Sequence, residues 1–291
     1  MIVEVKALAC ELPAELGLPL SRLSSAEIAR QAVAHGLVAS ISGVTIWRWL
    51  SADAIKPWCY RSWISPRDPD FASKAGRVID LYQGVWEGEP LDDSQDYVIC
   101  ADEKTSIQAR RRACAGRPAP GRVRRVESDY ERQGALAYLA AWDVRRAKVL
   151  GLCEPTTGIE PFRHLVDLVM QQEPYCSARR VFWVTDNGSS HRGLASAQRL
   201  AQWYPNAIQV ATPVHASWLN QVEIYFSVVQ RKVLEPNEID NLAALQQRLL
   251  DFQTYYECVA KPFKWKFTRD DLKQLLDKLD QQQREQQRQA A

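Results

Sequence analysis

The sequence predicts an α/β fold built on a mixed sheet and preceded by a small helical segment. Two observations carry this. Residues 96–102 and 181–186 are runs of β-branched and aromatic residues ending at a turn, the composition of strands buried on both faces. Between them, residues 135–142 and 148–153 pair as a hairpin across the turn Asp143-Val-Arg-Arg146. An antiparallel trio followed by alternating helices and strands makes a mixed sheet, not a doubly wound parallel one.

The elements follow in order. Ser24-Ser-Ala-Glu27 has the form of a capping box, and Ile28, Ala29, Ala32 and Val33 then mark one helix face, closed by His35-Gly36. Ser42 caps a second helix whose Val44, Trp47 and Leu50 are expected to face inward and Thr45, Arg48 and Ser51 outward. Two such helices fit a helix-turn-helix that offers Thr45 and Arg48 to a major groove, or a purely structural αα-hairpin. Residues 58–70, rich in aromatics and proline, read as an extended linker, and 71–86 as a helix bracing that linker against the core. After the first strand and the hairpin come a helix at 161–172, a strand to Asp186 and a helix from about His191 to Trp203. A short strand at 208–211 precedes a helix with the stripe Leu219, Val222, Phe226, Val229 and Val233. Two amphipathic helices follow, through Leu242, Leu245, Leu249 and Phe252 and through Leu272, Leu275, Leu276 and Leu279, before a Gln/Arg tail expected to fray. The organisation is therefore 1–57 helical, 58–93 linker and brace, 94–235 central domain, and 236–291 helical extension.

Three carboxylates break this apolar pattern. Asp102 and Asp186 sit where strands should end, and Glu223 lies at the edge of a buried helical stripe. A carboxylate facing partly inward is costly unless paired or bound to a metal. Singly, each has a plainer reading: a turn residue or helix cap for the aspartates, a solvated helix position for the glutamate. Together they make an oxygen-rich pocket of the kind Mg²⁺ or Mn²⁺ takes, with positions left for water and phosphate. Glu103 alternates away from Asp102 along the strand, and Asp143 begins the hairpin turn. Asn187, Asn220, His191 and Lys104 are candidates for the surrounding shell. Asn220, three residues before Glu223, is placed to bond its carboxylate. His191 and His215 flank the acids in sequence and serve either to orient water or phosphate or as ordinary backbone-bonding residues. A carboxylate pair also suits a glycosidase, but that leaves the third acid unexplained.

Composition bounds the class. In 291 residues, 46% hydrophobic residues suffice for a large core plus a small one. No apolar run is long enough to span a bilayer and no signal-peptide form opens the chain, so a cytoplasmic protein without membrane association is expected. Seven scattered cysteines, none in a C-x-x-C pair, argue against a disulfide framework or a zinc site. The net charge of +2 hides a cluster: Lys104, Arg110, Arg111, Arg112, Arg117, Arg122, Arg124, Arg125 and Arg132 lie within one stretch. Its Gly and Pro content, Gly116-Arg-Pro-Ala-Pro-Gly121, suggests a loop or ribbon that sets arginines beside the acids, where they attract phosphates. Lys264 and Lys266 interleave with Phe263, Trp265 and Phe267, a pattern that grips nucleic acid or packs as a C-terminal arm.

The strings ADEKTSIQ, VFWVTDNGSSHRG and TPVHASWLNQVEIYFSVVQRKV resemble the catalytic core of bacterial insertion-sequence transposases of the mariner-like DDE superfamily. The resemblance runs from about the helix-turn-helix pattern to near Leu279. It implies a ribonuclease-H-like fold, with the family's two aspartates on Asp102 and Asp186 and its glutamate on Glu223, the last two separated by 36 residues. It further implies two divalent metal ions, a homodimer on double-stranded DNA, cleavage at transposon ends and strand transfer at a TA dinucleotide. No covalent protein intermediate is needed, so neither Ser189, Ser190 nor any Tyr is promoted to nucleophile. The family usually carries another helical DNA-binding unit ahead of the one seen here, a unit this chain is expected to lack. The alternative is an inactive remnant that acts as a DNA-binding regulator.

Overall fold

The computed structural model describes residues 1–53, 55–59, 66–113, 116–118, 120–188, 191 and 193–290, with 282, 283 and 285–290 described by backbone alone. They form two compact units, Met1–Ile64 and Ser65–Ala291. Residues 60–65 of the expected linker, Ser189, Ser190 and Cys114 lie outside the described residues. The six cysteines that are described carry no disulfide. Among the described residues no helix is long and apolar enough to cross a membrane.

The first unit contains helices α1 (Ile2–Leu8), α2 (Ser25–Ala34) and α3 (Gly43–Ala52). Ser24 closes the capping box: its hydroxyl accepts from the Glu27 N–H at 3.3 Å, and the Glu27 carboxylate accepts from the Ser24 N–H at 2.7 Å. Ser42 caps α3 by accepting from the Thr45 N–H at 3.1 Å. Gly43 permits a close approach, because a Cβ there would stand 3.3 Å from the Ala26 backbone. The core gathers Val5, Leu8, Leu23, Ile28, Ala32, Ile46 and Leu50. Two expectations fail on phase. The inward face of α3 is Ile46 and Leu50 with half-buried Trp49, whereas Val44 and Trp47 are exposed, and Val33 of α2 is exposed too. Apolar residues at 44, 46, 47, 49 and 50 allow two faces, and the i, i+4 pair that meets Ile28 and Leu23 is the one buried.

The second unit opens with α4 (Phe71–Tyr82) and a two-stranded ribbon, β1 (Val85–Trp86) with β2 (Glu89–Pro90). Strands β3 (Asp96–Arg111), β4 (Glu131–Asp143) and β5 (Lys148–Glu154) follow, then α5 (Ile159–Met170), β6 (Arg180–Thr185), α6 (Gly193–Trp203) and β7 (Ala207–Ala211). The chain ends with α7 (Val222–Lys232), α8 (Leu242–Glu257) and α9 (Arg269–Ala290), the last continuing through the tail expected to fray. The sheet order is β5-β4-β3-β6-β7, with β4 antiparallel to both β3 and β5, and with β6 and β7 parallel to β3. This is the mixed sheet the sequence predicts.

Period-2 alternation assigns each strand residue a face. Val98, Cys100, Phe182 and Val184 share one core with residues of α4, α7, α8 and α9. Ile99, Ala101, Val181 and Trp183 share the other with α5 and α6. The expected brace, α4, thus supplies Ala75, Val78 and Ile79 to the sheet's own core, and Leu245, Leu249 and Leu272 of the C-terminal helices join it.

One strand differs from expectation. β3 does not stop at Asp102: its pairing with β4 runs on to Arg111 opposite Glu131, with irregularities after Lys104 and after Gln108. Its pairing with β6 ends at Cys100 opposite Val184. Asp102 is therefore mid-strand toward β4 and just past the last pair toward β6. Beyond it β3 and β4 form a two-stranded ribbon that needs no long apolar run, which is why this stretch reads as polar.

Candidate active site where two parallel strands part

Asp102 continues the parity of Val98 and Cys100, so it faces the side on which α7 packs. Asp186 follows the last residue of β6, and Glu223 lies in the first turn of α7. Asp102 is 8% exposed; Asp186 and Glu223 are half-buried. Burial, followed by repulsion from Asp186, pushes the Asp102 carboxyl up to about 8. The Glu103 N–H, donating at 2.7 Å, opposes this, while Glu103 and Glu223 add repulsion. Burial raises the Glu223 carboxyl too; Lys104 pulls it back and Asp186 adds to the rise. The three acids are within electrostatic reach of one another. As the side chains stand, no three His, Cys, Asp or Glu among the described residues are grouped tightly enough to hold a metal ion.

The backbone around each acid is tied down. Asp186 Oδ1 accepts from the Gly188 N–H at 2.7 Å, and a Cβ at 188 would meet that same oxygen at 2.9 Å. The Asp-Asn-Gly string thus ends in glycine because the turn closes onto the carboxylate. Asn187 does not reach a carboxylate: its amide donates to the Thr212 carbonyl at 2.5 Å and joins the ends of β6 and β7. Asn220 also departs from expectation. Buried before α7, it donates to the Ala101 carbonyl at 2.9 Å instead of to Glu223, fastening the helix start to the backbone beside Asp102. Tyr82 adds a second fastening through its hydroxyl to the Leu219 carbonyl at 2.6 Å.

His191 is fully buried and turned to the other face of the sheet. Its Nε2 lies 3.1 Å from both Glu103 carboxylate oxygens, and its ring meets Phe162 edge-on at 4.2 Å. It braces the turn after β6 and does not reach the three acids' face. Glu103 alternates away from Asp102 as expected, but toward a partner 88 positions along the chain, which local pattern could not reveal. His215 is exposed, has φ +62°, and lines a cavity of about 310 Å³ beside Asp186. Sequence reasoning missed Asp68. This buried carboxylate accepts from Lys74 Nζ at 2.9 and 3.1 Å and from the Val214 N–H at 3.0 Å, anchoring the loop that lines the same cavity. Asp143 accepts from the N–H groups of Arg145 and Arg146, as a turn-opening aspartate should.

The arginines stand elsewhere than expected. Arg110 and Arg111 lie on β3 itself, and at about 3.3 Å rise per residue they are roughly 25–30 Å along the strand from Asp102, not beside it. Arg111 pairs with Glu131 and Arg124 with Glu238, while Arg112 donates to the carbonyls of Glu127 and Asn237. Arg110 lies over the Tyr130 ring at 4.6 Å. Arg122 and Arg125 are exposed. In the segment preceding α9, Phe263, Trp265 and Phe267 pack against the core and leave Lys264 and Lys266 exposed, the arrangement of a packed arm. In the first unit Arg48 is exposed, and half-buried Thr45 places its hydroxyl 2.9 Å from that of Ser42.

Residues 97–246, more than half of the chain, match the family model described as DDE superfamily endonuclease. The chain belongs to the DDE superfamily of endonucleases. The matched segment includes Asp102, Asp186 and Glu223. Its fold is similar to that of the Mos1 mariner transposase in a paired-end complex with Mn, at TM-score 0.54 and 12% identity, covering 96% of this chain and 77% of that one. The Mos1 strand transfer complex matches at TM-score 0.52 and 12% identity, covering 96% and 76%. The Mos1 paired-end complex with Mg matches at TM-score 0.51 and 12% identity, covering 96% and 77%. At such identities the likeness establishes the ribonuclease-H-like fold. No curated protein sequence matches the chain.

Proposed function

We propose that this protein is a mariner-like DDE transposase that cuts DNA at transposon ends and joins the freed 3′ ends to target DNA, at TA dinucleotides, with Asp102, Asp186 and Glu223 as its catalytic acids. The observation that carries the reading is the gathering of these three carboxylates within electrostatic reach on one face of the sheet, where burial and then repulsion raise the Asp102 carboxyl. Three acids gathered in a half-buried place with Lys104 as their nearby cation suit a metal ion, and an all-oxygen donor set suits Mg²⁺ or Mn²⁺. That related folds were solved with Mn and with Mg supports the choice.

Asp102, Asp186 and Glu223 would hold the metal, two ions in this reading. When bound, the ions supply activation of the attacking oxygen and stabilisation of the leaving 3′-oxygen. The chain's own residues supply the placement. Asn220 holds the start of α7 against β3 and Tyr82 ties it to α4, so Glu223 keeps its station near Asp102. The Gly188 N–H orients the Asp186 carboxylate. Lys104, on the strand two residues beyond Asp102 and attracted to Glu223, offers a cation to a phosphate oxygen. Hydrolysis and joining are then one type of displacement: an oxygen of water, or later of the 3′-hydroxyl, bonds to phosphorus as the bridging 3′-oxygen departs with a proton.

Residues 1–57 serve, in the same reading, as the unit that reads double-stranded DNA through α3, with Arg48 and Thr45 nearest the groove. The expected assembly is a homodimer pairing two ends. Cleavage of a supercoiled plasmid carrying the element's flanking sequence tests the proposal. Nicking at the element ends with Mg²⁺ or Mn²⁺, absent with EDTA and absent for Glu223→Ala, is the expected result. DNA binding without metal-dependent nicking would overturn it in favour of a DNA-binding regulator.

A further inference from the structure

A polar groove runs away from the acids between β3 and α7. One cavity of about 400 Å³ is lined by Lys104, Glu223, Gln230 and Arg231. A second, of about 330 Å³, shares Lys104 and Gln230 and continues to Gln108, Arg110 and Asn237. Three of the buried polar atoms that lack partners belong to residues lining the second cavity. Gln108 Oε1, Arg110 Nε and Asn237 Oδ1 are all buried and make no hydrogen bond. Asn237 is 8% exposed, and its amide nitrogen donates to the Gln108 carbonyl at 2.6 Å, which fixes the orientation and leaves the oxygen as a free acceptor. Buried groups of this kind are normally satisfied, so a cluster in one cavity marks a place for a ligand. The irregularity in β3 after Lys104, with Ser106 at φ +54°, re-aims the strand at this point.

The chemistry of the lining names the ligand. Lys104, Arg231 and Arg110 are cationic donors of the kind that bind phosphate. Gln108 Oε1 and Asn237 Oδ1 are acceptors that a phosphate cannot satisfy but the N–H edge of a nucleobase can. Amino groups of adenine and cytosine stay exposed in the major groove of a duplex, but a base held in a duplex cannot enter a cavity of about 330 Å³, so the base that fits is unpaired. Resting on the transposase reading above, we infer that this groove binds a single DNA strand leading away from the cleavage point, with backbone phosphates along Lys104 and Arg231. One unpaired base enters the cavity formed by Gln108, Arg110 and Asn237. Glu235, on the rim of both cavities, accepts from Gln230 at 2.7 Å, so that this donor is turned from the groove until a strand competes for it.

The test is equilibrium binding of a fluorescein-labelled, single-stranded DNA ten-mer to the full chain in EDTA. The wild type is compared with Gln108→Met and Asn237→Leu, and each is repeated with an all-abasic oligomer of the same length. Gln108→Met removes an acceptor while keeping side-chain length, so it stays informative if Asn237→Leu fails to fold. The expected result is affinity about tenfold weaker for Gln108→Met on the normal oligomer, and no difference between variant and wild type on the abasic one. Unchanged affinity on the normal oligomer would overturn the inference. An equal loss on both oligomers would overturn the base pocket too, since it would assign the contact to the phosphates. Because EDTA silences cleavage, this outcome is independent of the plasmid assay: a groove that binds in a protein that never nicks would sink only the transposase reading.

Discussion

Asp96 and Asp102 are buried aspartates on one strand, yet they are treated in opposite ways. Asp96 is 1% exposed and gripped by two arginines: Arg179 and Arg180 each donate to Oδ1 at 3.0 Å and also reach Oδ2. Burial pushes its carboxyl up, but the hydrogen bonds from Arg180 and Arg179 and from the Asp92 N–H outweigh that and hold it well below the usual carboxylate range. Asp102, six positions on, is pushed up by burial and, in place of arginines, by the other acids it meets. The strand start is thus electrostatically closed and the place where β3 and β6 part is left open. A buried charge with its own partners belongs to the fold, whereas one placed among like charges belongs to a ligand.

The largest expected difference between the two aspartates is in activity. Asp102→Asn should reduce metal-dependent nicking by at least about 10³-fold, since the lost stabilisation amounts to several kcal/mol. Asp96→Asn should leave nicking by the folded protein within a few-fold of wild type in the same plasmid assay. The next contrast is in stability. Asp96→Ala strands two guanidinium groups that are themselves partly exposed, so a loss of about 2 kcal/mol is expected. For a unit of this size that lowers Tm by about 4–8 °C in a thermal melt. Asp102→Asn should move the other way, raising Tm by a few degrees through relief of repulsion.

A third contrast is in pH. Asp96 has a folded-state pKa depressed below its unfolded value near 4, so its stabilisation is complete above that value and is lost as pH falls. The wild type should therefore lose stability more steeply than Asp96→Asn between about pH 5 and pH 2, read from urea midpoints. The smallest effect on activity concerns placement. Asn220→Ala leaves the Ala101 carbonyl without its donor and should cost about 1–3 kcal/mol, with a fall in kcat greater than any change in KM. Equal kcat would show that fastening α7 to β3 is irrelevant to the chemistry.

Much of this was legible in the chain. The β-branched runs marked β3 and β6, the stripe Val222, Phe226 and Val229 marked α7, and alternation alone sent Glu103 to the face opposite Asp102. Less legible was anything depending on distant partners. The Arg179–Arg180 clamp on Asp96 spans more than 80 positions, and nothing local distinguishes Asp96 from Asp102. The arginine cluster was misjudged for a related reason: a dense run of charge says nothing about pairing. On the ribbon Arg111 and Arg124 meet Glu131 and Glu238, and Arg112 meets backbone carbonyls. The phase of α3 was ambiguous because apolar residues lie on both sides of its stripe, and only contact with Ile28 and Leu23 decides between them.

The measurement that tests the central claim most directly is the thermal melt of the full chain with and without Mn²⁺, set beside Asp102→Asn and Asp96→Asn. If the open repulsion around Asp102 is a metal site, saturating Mn²⁺ raises Tm by several degrees in the wild type and in Asp96→Asn, and leaves Asp102→Asn unmoved. A shift of the same size in Asp102→Asn, or none in the wild type, would contradict the account.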